Sequence, residues 1–118
     1  MVRVAVPSEQ GGLGDKVAER FGRARKFTIV DVDEKGRIRR VEVVVNEAAG
    51  QASSAGVRAA EMLASRGVSV VAGPKPGPKA AAALERLGIK HVEATGMTVK
   101  EAVAKAYREA GGSGGQQQ

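Results

Sequence analysis

Short apolar runs alternate along this chain with stretches in which apolar residues recur every three or four positions. Five of the runs have the length and composition of strands, and they span residues 2–6, 27–32, 37–45, 68–72 and 89–93. The first run ends at Pro7 and is largely apolar, which is typical of a strand buried on both faces. The third run alternates between two faces, with Val41, Val43 and Val45 on one and Arg40, Glu42 and Val44 on the other.

Between the strands, the spacing of apolar residues predicts four helices, which span residues 16–20, about 54–66, 80–87 and a last stretch from residue 98 onward. Asp15 can cap the first and shortest of them. Either Ser53 or Ser54 can cap the second. Thr98 and Glu101 have the spacing of a capping box at the start of the last helix.

The order of these elements restricts the topology. Strands two and three are joined by a hairpin-like turn over residues 33–36 and are therefore antiparallel, whereas the later strands alternate with helices and must be parallel. A strand order of 3-2-1-4-5, with strand two antiparallel, satisfies every connection. The sequence therefore predicts an α/β fold with a mixed five-stranded sheet flanked by helices, which is the ribonuclease H-like arrangement.

The composition is that of one domain with a modest core, because 42% of the 118 residues are hydrophobic and only 3% are aromatic. We expect this domain to span residues 1–110 and the uncharged tail, residues 111–118, to be disordered. The chain has no Cys, which excludes disulfides and thiolate chemistry. We see neither a signal peptide nor an apolar run of the roughly 20 residues that a membrane span requires, so a soluble cytoplasmic protein is expected. High Arg, Lys and Ala content without Cys or Trp suits a thermophile.

A stiff, basic loop joins the fourth strand to the third helix. Between residues 72 and 79 it contains three prolines, together with Gly73, Lys75, Gly77 and Lys79. A strand-to-helix turn of this kind points free N–H groups and the positive end of the helix at one spot, where an anion can bind. The loop matches neither the P-loop nor the dinucleotide-binding motif, and a stiff connection with solvated lysines is the alternative interpretation.

A second basic segment carries four cations within seven residues, namely Arg20, Arg23, Arg25 and Lys26, out of a formal net charge of +6 for the whole chain. These cations form either a solvated face or an anion-binding patch. In the predicted topology, the loops that follow strands one, three and four reach the same end of the sheet, where open α/β sheets usually bind ligands. We therefore expect one glycine-rich, basic cradle, built from residues 7–14, 20–24, 46–54 and 73–79.

The remaining candidate residues offer little for catalysis, so we do not expect an enzyme. His91 is the one histidine and has no Cys or carboxylate partner at ligand spacing, so it is expected to be exposed or partly packed rather than a metal ligand. The carboxylates of Asp31, Asp33 and Glu42 would suit a magnesium-dependent nuclease, but the first strand lacks the expected leading Asp. None of the candidate serines has a His–Asp partner set for nucleophilic catalysis.

A set of short motifs extends from about residue 2 to residue 107. The most specific are Arg20-Phe21-Gly22-Arg23-Ala24 and the glycine–proline opening of a helix over residues 73–79. The others are Val4-Ala5-Val6-Pro7, Ile29-Val30-Asp31-Val32, Asn46 at the end of strand three, Ala55-Gly56 and Gly96-Met97-Thr98-Val99. Together they resemble the dinitrogenase iron–molybdenum cofactor biosynthesis family, which comprises NifX-like and NafY-like proteins, the C-terminal domain of NifB and small stand-alone archaeal and bacterial members.

The resemblance implies a ribonuclease H-like fold and a non-enzymatic protein that binds or carries an iron–sulfur or iron–molybdenum type cluster. Cluster-binding relatives typically have His at the places of Arg20 and Gln51, so charge rather than ligation would hold an anionic cluster here. The implied partners are the anionic cluster or another anionic small molecule, and a protein that donates or accepts the cluster. The predicted binding residues are Arg20, Phe21, Gly22, Arg23, Asn46, Gln51, Gly73, Gly77 and Lys79.

The alternative to a carrier is a basic nucleic-acid-binding module on a ribonuclease H-like fold, which the positive net charge permits. Phe21, Phe27 and Tyr107 are the only aromatic residues, however, which argues against a protein that binds single strands by base stacking. Nucleic acid is therefore the less favoured partner.

Overall fold

The computed structural model describes residues 1–110, so the tail predicted to be disordered, residues 111–118, lies outside the described part of the chain. None of the helices in residues 1–110 is long and apolar enough to cross a bilayer. The elements of this part follow one another as β1 (Val2–Ser8), β2 (Lys26–Val32), β3 (Ile38–Val45), α1 (Ala55–Ser65), β4 (Val70–Gly73), α2 (Pro78–Arg86), β5 (Lys90–Glu93) and α3 (Val99–Ala110).

The strands form one mixed sheet in the order β3-β2-β1-β4-β5. β2 runs antiparallel to both of its neighbours, β1 and β3, whereas β1, β4 and β5 are parallel. This confirms the predicted α/β, ribonuclease H-like sheet, including its strand order and its antiparallel second strand. Because β1, β3, β4 and β5 all point the same way, the loops that follow them meet at one end of the sheet.

Helices cover both faces of the sheet. α1 and α2 pack on one face, where Phe27, Ile29 and Leu63 belong to a shared buried core. α3 packs on the other face against a second core that includes Val4 and Val30. Fully burying an aliphatic or aromatic side chain of this kind contributes about 1.5–3 kcal/mol to the stability of the fold. The two cores therefore hold the helices, and with them the helix ends, in place on the sheet.

The short helix predicted over residues 16–20 is wrong, because this segment is irregular. Asp15 does not cap a helix. Its carboxylate instead accepts the backbone N–H groups of residues 9–11 at 2.9–3.0 Å. The N–H groups of Val17 and Ala18 donate to the carbonyls of Met97 at 2.9 Å and of Pro7 at 2.8 Å. Hydrogen bonds to residues distant in sequence have thus replaced the local bonds of a helix.

At three other elements, the structure shows in more detail how the predicted element begins or ends. β1 continues through Pro7 to Ser8 rather than ending at the proline. The predicted capping box starts α3: the N–H of Thr98 donates to the Glu101 carboxylate at 3.0 Å, and the N–H of Glu101 donates to the Thr98 hydroxyl at 3.2 Å. Ser54 occupies the cap position of α1, but its hydroxyl makes no capping bond and its backbone is left-handed, with φ of 65°.

Candidate functional site

A cleft of about 570 Å³ opens at the end of the sheet where the loops after the parallel strands meet. Three segments line it, and they comprise residues 19–23, 54–57 and 75–80. Of the four loops expected to form the cradle, two therefore converge here, together with the last residue of the third. The fourth loop, residues 7–14, reaches only a neighbouring cleft of about 760 Å³ through Glu9, and that cleft shares Arg20 and Arg23 with the first.

Residues without bulky side chains bring the three segments into contact. A Cβ atom added to Gly22 would lie 2.6 Å from the Cα of Gly56, and one added to Gly56 would lie 2.6 Å from the Cβ of Ala80. Neither glycine has a positive φ, so it is the close approach of the backbones that excludes a side chain. The stack Gly22–Gly56–Ala80 therefore holds the beginnings of α1 and α2 side by side.

Both helices point their N-terminal ends at the cleft. Neither end has a side-chain cap or an acidic residue in its first turn. The N–H groups of Ala55, Gly56 and Val57 bond to no acceptor within residues 1–110. α2 even places Lys79 in its first turn, where a cation opposes the helix macrodipole. Each helix end thus offers positive potential and free donors without a protein group to satisfy them.

Cationic side chains add to this potential. Arg20, Lys75 and Lys79 line the cleft, are exposed and form no ion pair with any of residues 1–110. Glu19 is the one carboxylate that lines the cleft in the described part of the chain. The lining is therefore positively charged and open to a solvent-borne anion.

Arg23 also lines the cleft, but its guanidinium donates hydrogen bonds to backbone carbonyls. It donates to the carbonyls of Ala49 at 3.1 Å, Ala52 at 3.4 Å and Gln51. Carbonyl acceptors leave the positive charge in place while they hold the side chain. Arg23 therefore orders the loop that leads into α1 and also contributes charge to the cleft.

Phe21 and Gly77 complete the set of predicted residues that the structure places at the cleft. The Phe21 side chain is buried and packs edge-on against Phe27, with ring centroids 5.5 Å apart. It anchors the segment that carries Arg20 and Arg23 to the core. Since both rings belong to the core, neither offers a surface on which a base could stack.

Three predicted residues, Asn46, Gln51 and Gly73, lie outside the lining of the cleft. The buried amide of Asn46 donates to the carbonyls of Gly22 at 3.0 Å and Ala24 at 2.8 Å, so it fixes the segment that lines the cleft. Gln51 supplies a backbone carbonyl to Arg23 and lines a separate hollow beside Asn46.

Gly73 is buried at the end of β4. A Cβ atom there would lie 2.7 Å from the ring of Pro7, so this glycine permits β4 to pack against β1 rather than leaving room for a ligand.

The structure adds Ser54, Gly56 and Lys75 to the lining. Lys75 belongs to the loop in which anion binding was predicted, and Gly56 belongs to one of the family-like motifs. Ser54 is the last residue of the predicted loop 46–54, but its left-handed backbone could not have been predicted, because no residue type in the sequence marks a left-handed serine.

The His91 imidazole contacts the backbone of the loop that follows β4. Its Nε2 lies 3.1 Å from the carbonyl oxygens of both Gly73 and Pro74, and because both neighbours are acceptors, this nitrogen carries a proton. No three His, Asp or Glu side chains within residues 1–110 come together as a metal site.

The carboxylates considered for a nuclease are each engaged elsewhere. The Arg3 guanidinium binds Asp31 at 2.7 Å and 3.2 Å, while the Asp33 carboxylate accepts two backbone N–H groups of its own turn, both at 2.9 Å. Those two N–H donors help to hold the pKa of Asp33 below its usual range. What the cleft offers chemically is a set of N–H donors and cations.

The sequence model of the family described as "Dinitrogenase iron-molybdenum cofactor" matches residues 1–109. The chain belongs to this dinitrogenase iron–molybdenum cofactor family. Membership indicates a cofactor-binding or carrier role. No curated protein sequence matches the chain significantly.

Two solved structures illustrate the likeness. The orange protein from Desulfovibrio gigas, solved at high resolution in its apo form, is 39% identical, with a TM-score of 0.79 over 87% of this chain and 84% of that one. A Thermotoga protein described as a candidate NifB, solved by NMR, is 36% identical, with a TM-score of 0.73 over 93% of this chain and 90% of that one.

Proposed function

We propose that this member of the dinitrogenase iron–molybdenum cofactor family is a non-enzymatic cytoplasmic carrier that holds an anionic metal–sulfur cluster, or a related small anion, in the cleft between α1 and α2. The cluster is cargo, which the protein receives from one partner and passes to another. The observation that carries the proposal is the convergence on one cleft of two helix N-termini without a side-chain cap and of three cations that have no ion-pair partner within residues 1–110.

The free donors would contact the cargo directly. The N–H groups of Ala55–Val57 have no protein acceptor among residues 1–110, and sulfide or oxide groups of an anionic cluster would accept their hydrogen bonds. Binding would also relieve the unfavourable position of Lys79 in the first turn of α2. The Gly22–Gly56–Ala80 contact makes this possible because it keeps both helix ends at the same cleft.

The residues of the cleft fit a cargo that keeps its own ligands. Protein ligation of iron–sulfur or related clusters uses thiolate or imidazole, and the cleft lining contains neither. The two places where cluster-binding relatives typically have His hold Arg20, which points charge at the cleft, and Gln51, which lies outside it. Non-covalent capture of a preformed anion is therefore the mode we propose.

The size of the electrostatic contribution can be estimated. A single positive charge about 7 Å from a dianion gains about 1 kcal/mol in a water-like dielectric, and screening at 0.1 M salt halves this. Removing one cation should therefore weaken binding about three-fold, and reversing its charge about ten-fold. Affinity should also fall as the salt concentration rises.

The experiment uses tetrathiomolybdate, a coloured molybdenum–sulfur dianion, as the probe. Full-length protein purified without oxygen is titrated with it and followed by visible absorption and by co-elution on a desalting column. We expect saturable binding of one anion, weakened about ten-fold by Arg20→Glu and about three-fold by Lys79→Ala. Arg25→Ala is the matched control for Lys79→Ala, because both remove one positive charge and Arg25 is exposed in the basic segment but does not line the cleft.

Two results would refute the proposal. One is the absence of any retained colour on the wild-type protein at low salt. The other is an equal loss of binding in Arg25→Ala and Lys79→Ala, which remove one positive charge each, because this would mean that total charge rather than the cleft determines binding.

A further inference from the structure

β3 is an edge strand of the sheet, and its outward valines are uncovered. The exposed fraction of Val41 is 40%, that of Val43 is 43% and that of Val45 is 64%, which makes them the large apolar side chains most exposed in residues 1–110 apart from Met1. They lie on the face of the sheet that α3 covers elsewhere, because their partners in β2 include Val30 and Thr28. Neither Pro nor Gly interrupts the strand, and its bulge and its charged residues lie toward its beginning, so the last three residues, 43–45, are all valine.

The same three residues carry the free backbone groups of the edge. The N–H of Asn46 donates to Arg25, on the β2 side, at 2.9 Å. Since backbone direction alternates along a strand, Val44 and Glu42 also face β2, while the N–H and C=O groups of Val41, Val43 and Val45 point outward. The edge therefore offers six hydrogen-bonding groups in a regular row.

A neighbouring loop covers part of this face at Val43. A Cβ atom added to Gly11 would lie 2.4 Å from the Cγ1 of Val43. A partner therefore cannot stack on Val43 without displacing this loop. It can, however, add a strand beside β3.

The order of side chains in the row identifies the partner. Read along the chain, the row begins with the basic Arg39 at the bulge, continues with Val41, Val43 and Val45, and ends with the acidic Glu47 just beyond the strand. The Arg39 guanidinium also lies 3.3 Å from the Asp33 carboxylate of its own chain, but its side chain stays 58% exposed and can reach a second carboxylate. A second copy placed antiparallel about Val43 sets Val43 opposite itself, Val41 opposite Val45 and Arg39 opposite Glu47. The row is thus complementary to itself in both charge and apolarity.

From this self-complementarity we propose that the protein forms a homodimer through antiparallel pairing of β3 with β3 of a second copy, centred on Val43. The pairing is isologous, so one contact closes the assembly, and it joins the two sheets into a continuous sheet of ten strands. The contact is small, and interfaces below about 1,000 Å² associate weakly, so we expect a dissociation constant of about 0.1–1 mM. This inference does not depend on anion binding in the cleft.

Sedimentation equilibrium of the full chain, from about 10 µM to 2 mM protein, tests the association. The weight-average mass of the wild type should rise from that of one chain toward that of two. Val45→Pro removes an outward N–H that has no partner within residues 1–110 of its own copy, so it should abolish the rise while thermal unfolding monitored by circular dichroism stays near that of wild type.

A pair of double variants tests the register. Val41→Lys/Val45→Glu would place each new ammonium opposite a new carboxylate of the other copy, so it should dimerise in a salt-sensitive manner. Val41→Lys/Val45→Lys alters the same exposed positions but sets like charges opposite each other, so it should stay monomeric up to 2 mM. A wild type that remains monomeric at 2 mM would overturn the proposal, and so would equal association of the two double variants.

Discussion

Gly56→Ala tests whether close contact of two helix ends builds the cleft. The added methyl group would lie 2.6 Å from the Cβ of Ala80, a distance that real Cβ atoms essentially never show. Since the atom it meets is fixed to the backbone of α2, the two helices must separate. Overpacking of this kind costs about 1–3 kcal/mol, while the higher helix propensity of Ala returns roughly 0.5–1 kcal/mol.

We therefore expect Gly56→Ala to lower the free energy of unfolding by about 1–2 kcal/mol, which corresponds to a fall in Tm of roughly 4–10 °C for a domain of this size. Urea and thermal unfolding followed by circular dichroism measure both quantities. Gly50→Ala is the matched control, because nothing lies within 4 Å of its added Cβ and its φ is not positive, so its stability should stay near that of wild type.

The exchange Gly56→Ala/Ala80→Gly adds a sharper check, because it moves the methyl group from one helix to the other. Ala80→Gly alone should cost about 1 kcal/mol, and the double variant should be more stable than the sum of the two single effects predicts. A Gly56→Ala protein as stable as wild type, or strictly additive effects in the double variant, would refute the proposed packing.

Three further perturbations have definite expected outcomes. Asn46→Asp should be destabilising by about 3 kcal/mol in urea unfolding, because it sets a carboxylate against two backbone carbonyls, and it should exceed the effect of Asn46→Ala. Asp15→Asn should destabilise the protein at pH 7 and match wild type at low pH. Burial opposes ionisation of Asp15, but four N–H donors outweigh the burial and lower its pKa. The stabilisation is therefore present above about pH 4 and is lost as the pH falls through the folded-state pKa. Thr98→Ala should cost about 1 kcal/mol by thermal unfolding, because it removes the capping bond to the N–H of Glu101.

The strand order was predictable because chain connectivity and handedness leave few alternatives. A hairpin turn over residues 33–36 fixes β2 and β3 as antiparallel neighbours, and helical stretches between the later strands require parallel crossovers. The capping box at Thr98 was predictable for a different reason, since its two hydrogen bonds join residues only three positions apart. Local chemistry and short connections therefore carry most of the fold.

What the sequence did not reveal depends on contacts between distant residues. Asp15 is a residue type that often caps helices, yet its carboxylate accepts hydrogen bonds from the N–H groups of the preceding loop, residues 9–11. The N–H of Ala18 likewise bonds to β1 rather than within a helix. The predicted strand order placed β3 at an edge, but the alternation of its valines cannot show that their face of the sheet remains uncovered. In both cases the residue types were typical of the predicted element, but they did not indicate which other segment of the chain would contact it.

The candidate site shows the same division. The basic residues and glycine-rich loops were identifiable because charge and turn chemistry are properties of single residues. The roles of Asn46 and Gly73 were not, because an amide that bonds two carbonyls and a glycine that packs on Pro7 are recognisable only in three dimensions. The distinction between Arg20, whose charge is unpaired in residues 1–110, and Arg23, whose guanidinium holds a loop, likewise depends on geometry.

We propose above that two helix N-termini and their surrounding cations form one anion site. A titration of ¹⁵N-labelled full-length protein with tetrathiomolybdate at low salt, observed by two-dimensional NMR, tests it most directly. We expect saturable shifts confined to the amides of residues 55–57 and 79–80 and of the segment that carries Arg20. Unchanged amides at both helix ends, or shifts of equal size around the basic residues of β3 at the far end of the sheet, would contradict it.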